Sequence, residues 1–270
     1  VAAAALILPA VPGVISPTAP AVAATRVGSP GGPTPPPVGG RPLRVLVVGD
    51  SVALTLAVRT PPSLRSQLTV TTKAMLGCGV VPGAPVISGR VVAPPADCGS
   101  WRDAWRDGVA DRPDVTVVLL GAWEVADHRI GGRTLHVGQP AYAGVVDASL
   151  RDGLAIAGQG GAPVVVLTAP CYREESRELG GSASPRNDPA RVRWVNDRLR
   201  EVAAATPGVR LLDLHAQVCP GDRFLAERDG EALRYDGVHF SDAGAADVWS
   251  WLLPQLQSLA APTGSTVGPG

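Results

Sequence analysis

VLVVGDSVAL, residues 45–54, drives an apolar run straight into Gly49, Asp50 and Ser51, after which the apolar pattern changes. An unbroken, valine-rich run reads as a strand buried on both faces, and the segment after Gly49 reads as the start of a helix. Five runs of this kind occur: LRVLVVG (43–49), LTVTTKAM (68–75), VTVVLLGAW (115–123), PVVVLTAP (163–170) and VRLLDLH (209–215). Helical patterns lie between and after them, at 52–60, 99–110, 141–158, 188–205 and 242–260. Strand–helix alternation predicts an α/β fold, a three-layer α/β/α sandwich around a five-stranded parallel sheet. Sites in such sheets form at the carboxyl ends of the strands. Ser51, Gly77, Trp123, Cys171 and His215 fall there.

Working outward, residues 1–27 open with an uncharged apolar stretch that Pro9 and Pro12 interrupt. It is too short to span a bilayer alone. Two readings place the rest outside the cytoplasm: an export signal, with AVAA (21–24) as a small-residue cleavage site, or the stub of a membrane helix; the plainer reading is a disordered apolar tail. GSPGGPTPPPVGGRP, residues 28–42, reads as a linker that proline extends and glycine bends. A domain over 43–261 and a polar tail over 262–270 complete the chain.

The charges balance, 24 basic against 24 acidic residues among 270, and no basic run stands out. A nucleic-acid partner therefore has no electrostatic support. Of the basic residues only Lys73 is a lysine. The four cysteines admit three pairings. Cys78 with Cys98 and Cys171 with Cys219 are favoured, because strand ends at one sheet edge lie close together. Disulfides fit an exported protein. No CxxC or Cys/His cluster exists, so neither a metal nor another cofactor is called for.

Ser51 stands where strand one meets helix one, and its hydroxyl and its N–H both face outward from the helix end. Taken alone, Gly49-Asp50-Ser51 is read as a helix N-cap before it is read as a nucleophile. RYDGVHFSDAGA, residues 234–245, adds the missing chemistry. A hydroxyl nucleophile needs a base, and the base needs an orienter that fixes its tautomer. An acid three residues before a histidine can reach that ring's Nδ1 and leave Nε2 for Ser51. Asp236 and His239 have this spacing. The plainer reading makes Asp236-Gly237 a turn, Ser241 a helix cap and His239 a surface residue.

These residues together resemble the SGNH hydrolase family, also called GDSL-like, over about residues 43–261. The Gly-Asp-Ser after strand one matches its nucleophile block, and Asp-x-x-His before the last helix matches its acid–base block. The resemblance implies a flavodoxin-like fold and a Ser51–His239–Asp236 triad. It also implies oxyanion donors: the Ser51 N–H, and a glycine after strand two, met here by Gly77 or Gly79. The family's asparagine after strand three is absent. Gly121-Ala122-Trp123-Glu124 stands there instead, with Trp123 in the asparagine's place as a wall of an acyl pocket, an indole donor, or plain core. Glu124, Asp127 and Arg129 read as orienters of Trp123 or binders of acceptor hydroxyls, or more plainly as a solvated loop. His215 reads as a hydrogen-bonded structural histidine. Trp101, Trp105, Trp249 and Trp251 read as core or rim.

GAWEVADHR (121–129), the Cys78/Cys98 pair, PCY (170–172), DLHAQVCP (213–220) and RYDGVHF look like the SGNH domains fused behind acyltransferase-three membrane proteins. That likeness implies an extracytoplasmic O-acyltransferase with an acyl ester or glycan as substrate and a membrane acyl-donor domain as partner. A secreted esterase of carbohydrate or lipid esters and a non-catalytic glycan-binding module are the alternatives.

Overall fold

Valine and leucine at 43–49 leave no polar side chain toward either face beyond Arg44, so this strand can only be stable in the middle of a sheet. In the computed structural model, which describes residues 41–261, that is where it lies. Five parallel strands form the main sheet: β1 (Leu43–Gly49), β2 (Leu68–Thr72), β3 (Val115–Leu119), β4 (Val164–Leu167) and β5 (Val209–Leu212). Their order is β2-β1-β3-β4-β5, with Val45 against both Val70 and Val115. The fold is α/β, as the alternation predicts. The stub of 1–27, the tail of 262–270 and all of the linker except Arg41 and Pro42 lie outside the described residues.

Six helices surround the sheet: α1 (Ser51–Val58), α2 (Trp101–Ala110), α3 (Pro140–Ala157), α4 (Pro189–Ala204), the short α5 (Leu214–Val218) and α6 (Asp242–Ala260). Helices α2, α3 and α4 pack in a row, while α1 packs on α6. The α1–α6 contact is pinned where the Trp249 indole donates to the Leu56 carbonyl at 2.9 Å. Trp105 and Trp249 are fully buried, Trp101 nearly so, and Trp251 packs at the edge of the core. Among the described residues no helix is long and apolar enough to cross a membrane.

Four of the five strands are shorter than their apolar runs predict, and two of them have a visible cause. Strand β2 ends at Thr72, whose hydroxyl turns back to the Val47 carbonyl at 3.0 Å. Strand β5 ends at Leu212, because Asp213 caps α5 by accepting from the Ala216 N–H. His215 therefore sits on a helix and not at a strand end. A second sheet went unread. Four short antiparallel strands, Arg90–Val91, Ala84–Ile87, Asp127–Ile130 and Arg133–Leu135, pair in that order. Asp127 and Arg129 therefore belong to a strand, not to the solvated loop expected of them.

Both disulfides form, Cys78–Cys98 and Cys171–Cys219. The first closes the loop after β2 onto the entry of α2. The second ties the end of β4 to the end of α5.

Candidate active site

Gly49 ends β1 with φ +137°, and a Cβ there would lie 1.8 Å from the Leu119 carbonyl oxygen. Only glycine lets β1 and β3 run so close where the chain turns outward. Asp50 then caps α1, accepting from the Val52 N–H at 2.8 Å. Its second oxygen accepts from the Ala122 N–H at 3.0 Å and so ties the loop after β1 to the loop after β3. With Asp50 as the cap, Ser51 is the first residue of α1, and its N–H has no place in the helix's own ladder.

Ser51 is nearly buried, and His239 reaches it from the far end of the sequence. Nε2 of His239 lies 2.8 Å from the Ser51 Oγ, and Nδ1 lies 2.6 Å from an Asp236 carboxylate oxygen. The other Asp236 oxygen accepts from the His239 N–H at 2.8 Å and the Val238 N–H at 3.0 Å. The backbone thus fixes the carboxylate while the carboxylate fixes the ring. Burial pushes the Asp236 carboxyl up, but the hydrogen bonds from His239 and Val238 outweigh it and hold its pKa below the usual value. Gly237 makes the turn possible. Its φ is +79°, and a Cβ would fall 1.8 Å from the Arg173 carbonyl oxygen. Ser241 caps α6 through the Gly244 N–H at 3.0 Å. Tyr235, more than half exposed, stacks on the His239 ring with centroids 5.7 Å apart.

The loop after β2 approaches the same place: the Met75 N–H donates to the Gly49 carbonyl at 2.9 Å. Gly77 and Gly79 follow, and both line an open cleft of about 420 Å³ that Trp123 also lines. Glu124 departs from the solvated reading. It is 1% exposed, and its two carboxylate oxygens accept from the Val80 N–H and the Gly121 N–H, each at 2.9 Å. It holds the loops after β2 and β3 together, and its burial keeps it from a substrate hydroxyl. The buried Trp123 indole N–H has no partner among the described residues. Burial, then the neighbouring Glu124 charge, lifts the Asp50 carboxyl to about 6 against the hydrogen bonds that lower it.

Arg186 and Glu174, which sequence reasoning missed, complete this frame. Both side chains are almost fully buried and pair at 2.7 Å. The Arg186 Nε donates to the Ala122 carbonyl at 2.8 Å, and its guanidinium lies over the Trp123 ring, 4.4 Å from the centroid. The Ala122 peptide is therefore held on its N–H side by Asp50 and on its carbonyl side by Arg186. Asn187 clamps the Glu174 backbone on both sides. No periodicity marks these residues in the 171–188 segment; a buried ion pair twelve residues apart leaves no sequence signal. His128 is buried against Tyr142, 2.8 Å away, and burial lowers its pKa. His136 pairs with Asp127 at 2.8 Å. His215 bonds the Ala169 carbonyl and Asp222, as a structural histidine does.

This arrangement meets its family in sequence. The profile of the SGNH domain family, described as fused to AT3 domains, matches residues 18–249. The chain belongs to the SGNH domain family. No curated protein matches its sequence. Among solved structures, a GDSL-like lipase from Bacteroides thetaiotaomicron is similar, with TM-score 0.51 and 14% identity over 80% of this chain and 87% of that one. The periplasmic domain of a Salmonella Paratyphi A lipopolysaccharide acetyltransferase aligns with TM-score 0.49 and 8% identity, over 80% and 84%. An acetylxylan esterase from Geobacillus stearothermophilus aligns with TM-score 0.46 and 17% identity, over 83% and 99%. The SGNH fold carries esterase and acyltransferase chemistry.

Proposed function

We propose that this SGNH domain transfers acyl groups through Ser51, as an O-acyltransferase acting on a cell-envelope or extracellular glycan. The observation that carries the reading is the hydrogen-bonded chain from Ser51 Oγ through His239 to Asp236, in a family described as fused to AT3 domains. The disulfides support an extracytoplasmic site of action. The fusion supports a membrane domain as the acyl donor's source.

In the first half-reaction Ser51 Oγ attacks the acyl carbonyl while His239 Nε2 takes its proton. Asp236 keeps the ring's Nδ1 protonated and stabilises the imidazolium. The tetrahedral oxyanion accepts from the Ser51 N–H and from the N–H of Gly77 or Gly79. Collapse breaks the bond to the donor's leaving group, which takes the proton from His239. In the second half-reaction a glycan hydroxyl gives its proton to His239 and attacks the acyl-Ser51 carbonyl. The ester passes to the glycan, and Ser51 Oγ recovers the proton. Trp123 serves as a wall here; its indole N–H is buried beside Arg186, and two backbone donors already serve the oxyanion.

The test is partition. The full chain is incubated with p-nitrophenyl acetate and a range of oligosaccharide acceptors, and both free acetate and O-acetylated sugar are quantified by mass spectrometry. Transfer that rises with acceptor concentration, and is lost in Ser51→Ala, supports the transferase. Ser51-dependent hydrolysis with no transfer to any acceptor makes the domain an esterase.

A further inference from the structure

The cleft beside the site has a composition that selects its ligand. It runs between the loop of residues 79–85 and the disulfide-closed loop of residues 94–102. Val80, Val81, Pro82, Pro85, Pro94 and Trp123 supply apolar walls, and glycine backbone supplies much of the rest. Only two ionisable side chains line it, Arg102 and His128. Arg102 donates through Nε to Asp152 at 2.5 Å and lies over the Trp101 ring, which leaves its Nη groups as the lining's one set of open side-chain donors. His128 is committed through Nδ1 to Tyr142 and the Ala126 carbonyl. Sugar recognition needs several side-chain donors and acceptors, since each unmatched hydroxyl loses its water partners. This lining does not provide them.

Two of the loops that line the cleft are also bonded to the residues around Ser51. Gly77 and Gly79 line it and follow Met75, which is bonded to Gly49. Trp123 lines it and follows Ala122, which is bonded to Asp50. A carbonyl polarised by the Gly77 or Gly79 N–H therefore has its carbon chain beside the cleft mouth. About 420 Å³ lies within the range of about 300–1,000 Å³ typical of ligand pockets. An acetyl group would leave most of it to water.

We infer that this cleft binds a linear acyl chain of medium length, such as octanoyl, so that the domain accepts acyl groups well beyond acetyl. The inference rests on the acyl-transfer reading only for which part of the ester enters. The chain's occupation of the cleft is separate and is tested by binding. Burial of each methylene is worth about a threefold to fourfold gain in affinity when complete.

The full chain carrying Ser51→Ala is titrated by calorimetry with sodium octanoate and with sodium acetate. Gly99→Trp and Ala96→Phe are then introduced singly. Both positions line the cleft, a Cβ at Gly99 meets no atom within 4 Å, and neither position is part of the Ser51–His239–Asp236 chain. The expected result is saturable octanoate binding at least tenfold tighter than acetate, reduced at least tenfold by either substitution, with circular dichroism unchanged. In the Ser51-intact chain the same substitutions lower kcat/KM for p-nitrophenyl octanoate at least tenfold and for the acetate less than threefold. Octanoate binding no tighter than acetate, or binding that both folded variants retain, overturns the inference. So does saturable binding of maltohexaose that the same variants abolish, which assigns the cleft to an acceptor sugar. Octanoate binding with turnover indifferent to Ser51→Ala leaves the cleft assignment standing and refutes the acyl-transfer reading instead.

Discussion

At the scale of single residues, the site turns on two carboxylates with opposite surroundings. Asp236 is partly exposed and held below the usual carboxylate pKa by His239 and Val238. The stability it contributes is present above its ordinary value of 3.8 and is lost as pH falls through the lower native value. Asp236→Asn therefore flattens the acid limb of a Tm-against-pH curve below about pH 4. It also lowers turnover by about 10³–10⁴ with the fold kept, because the imidazole loses tautomer control and counter-charge. Asp50 behaves the other way. Its pKa is raised from 3.8 to about 6, so the stability its protonation brings is full below 3.8 and lost as pH rises through about 6. Measured by circular dichroism, Asp50→Asn is least stable relative to wild type at and below about pH 4, gains on it as pH rises from there to about 6, and holds a constant difference above that. A constant difference in Tm across that range means that Asp50 is not the raised group. Trp123→Phe removes an indole N–H that already lacks a partner, so Tm is unchanged or higher and kcat falls less than tenfold. A hundredfold fall in kcat at unchanged Tm makes the indole an oxyanion donor instead.

At the scale of elements, the four loops after β1, β2, β3 and β4 are bound into one frame by buried charge. Glu124 joins the loops after β2 and β3, and Asp50 and Arg186 grip the Ala122 peptide from its two sides. Arg186→Met leaves the Glu174 carboxylate buried and unpaired, a loss of about 3–5 kcal/mol that urea unfolding measures. Arg186→Met with Glu174→Leu recovers most of it, since a buried pair is close to neutral against an apolar replacement. The strands, helices and terminal blocks were legible because each has a local cause: valine on both faces for β1, an apolar period for the helices, an acid three residues before a histidine. The frame was not, because its members stand on separate loops whose polar composition reads as solvent-facing. The four-stranded second sheet was hidden for the same reason. Its strands are two to four residues long, and two of them, Arg90–Val91 and Arg133–Leu135, begin on exposed arginines, so no period is long enough to register.

At the scale of the whole molecule, the fold brings the two ends of the domain together. Parallel strands in the order β2-β1-β3-β4-β5 put the start of α1 beside the loop before α6, and the Trp249–Leu56 bond holds those helices in register. The sequence distance from Ser51 to His239 therefore closes to 2.8 Å. Two disulfides lock the periphery of this arrangement; reducing them costs about 3–4 kcal/mol each in the chain-entropy description and lowers Tm. The most direct measurement is capture of the acyl-enzyme. The full chain is mixed with p-nitrophenyl acetate, quenched in acid within the first turnover, digested and sequenced by mass spectrometry. An acetyl ester on Ser51, absent from Ser51→Ala and formed far more slowly in His239→Ala, is the expected result. Turnover equal in wild type and Ser51→Ala, or acetyl carried stoichiometrically on another residue, removes Ser51 from the chemistry.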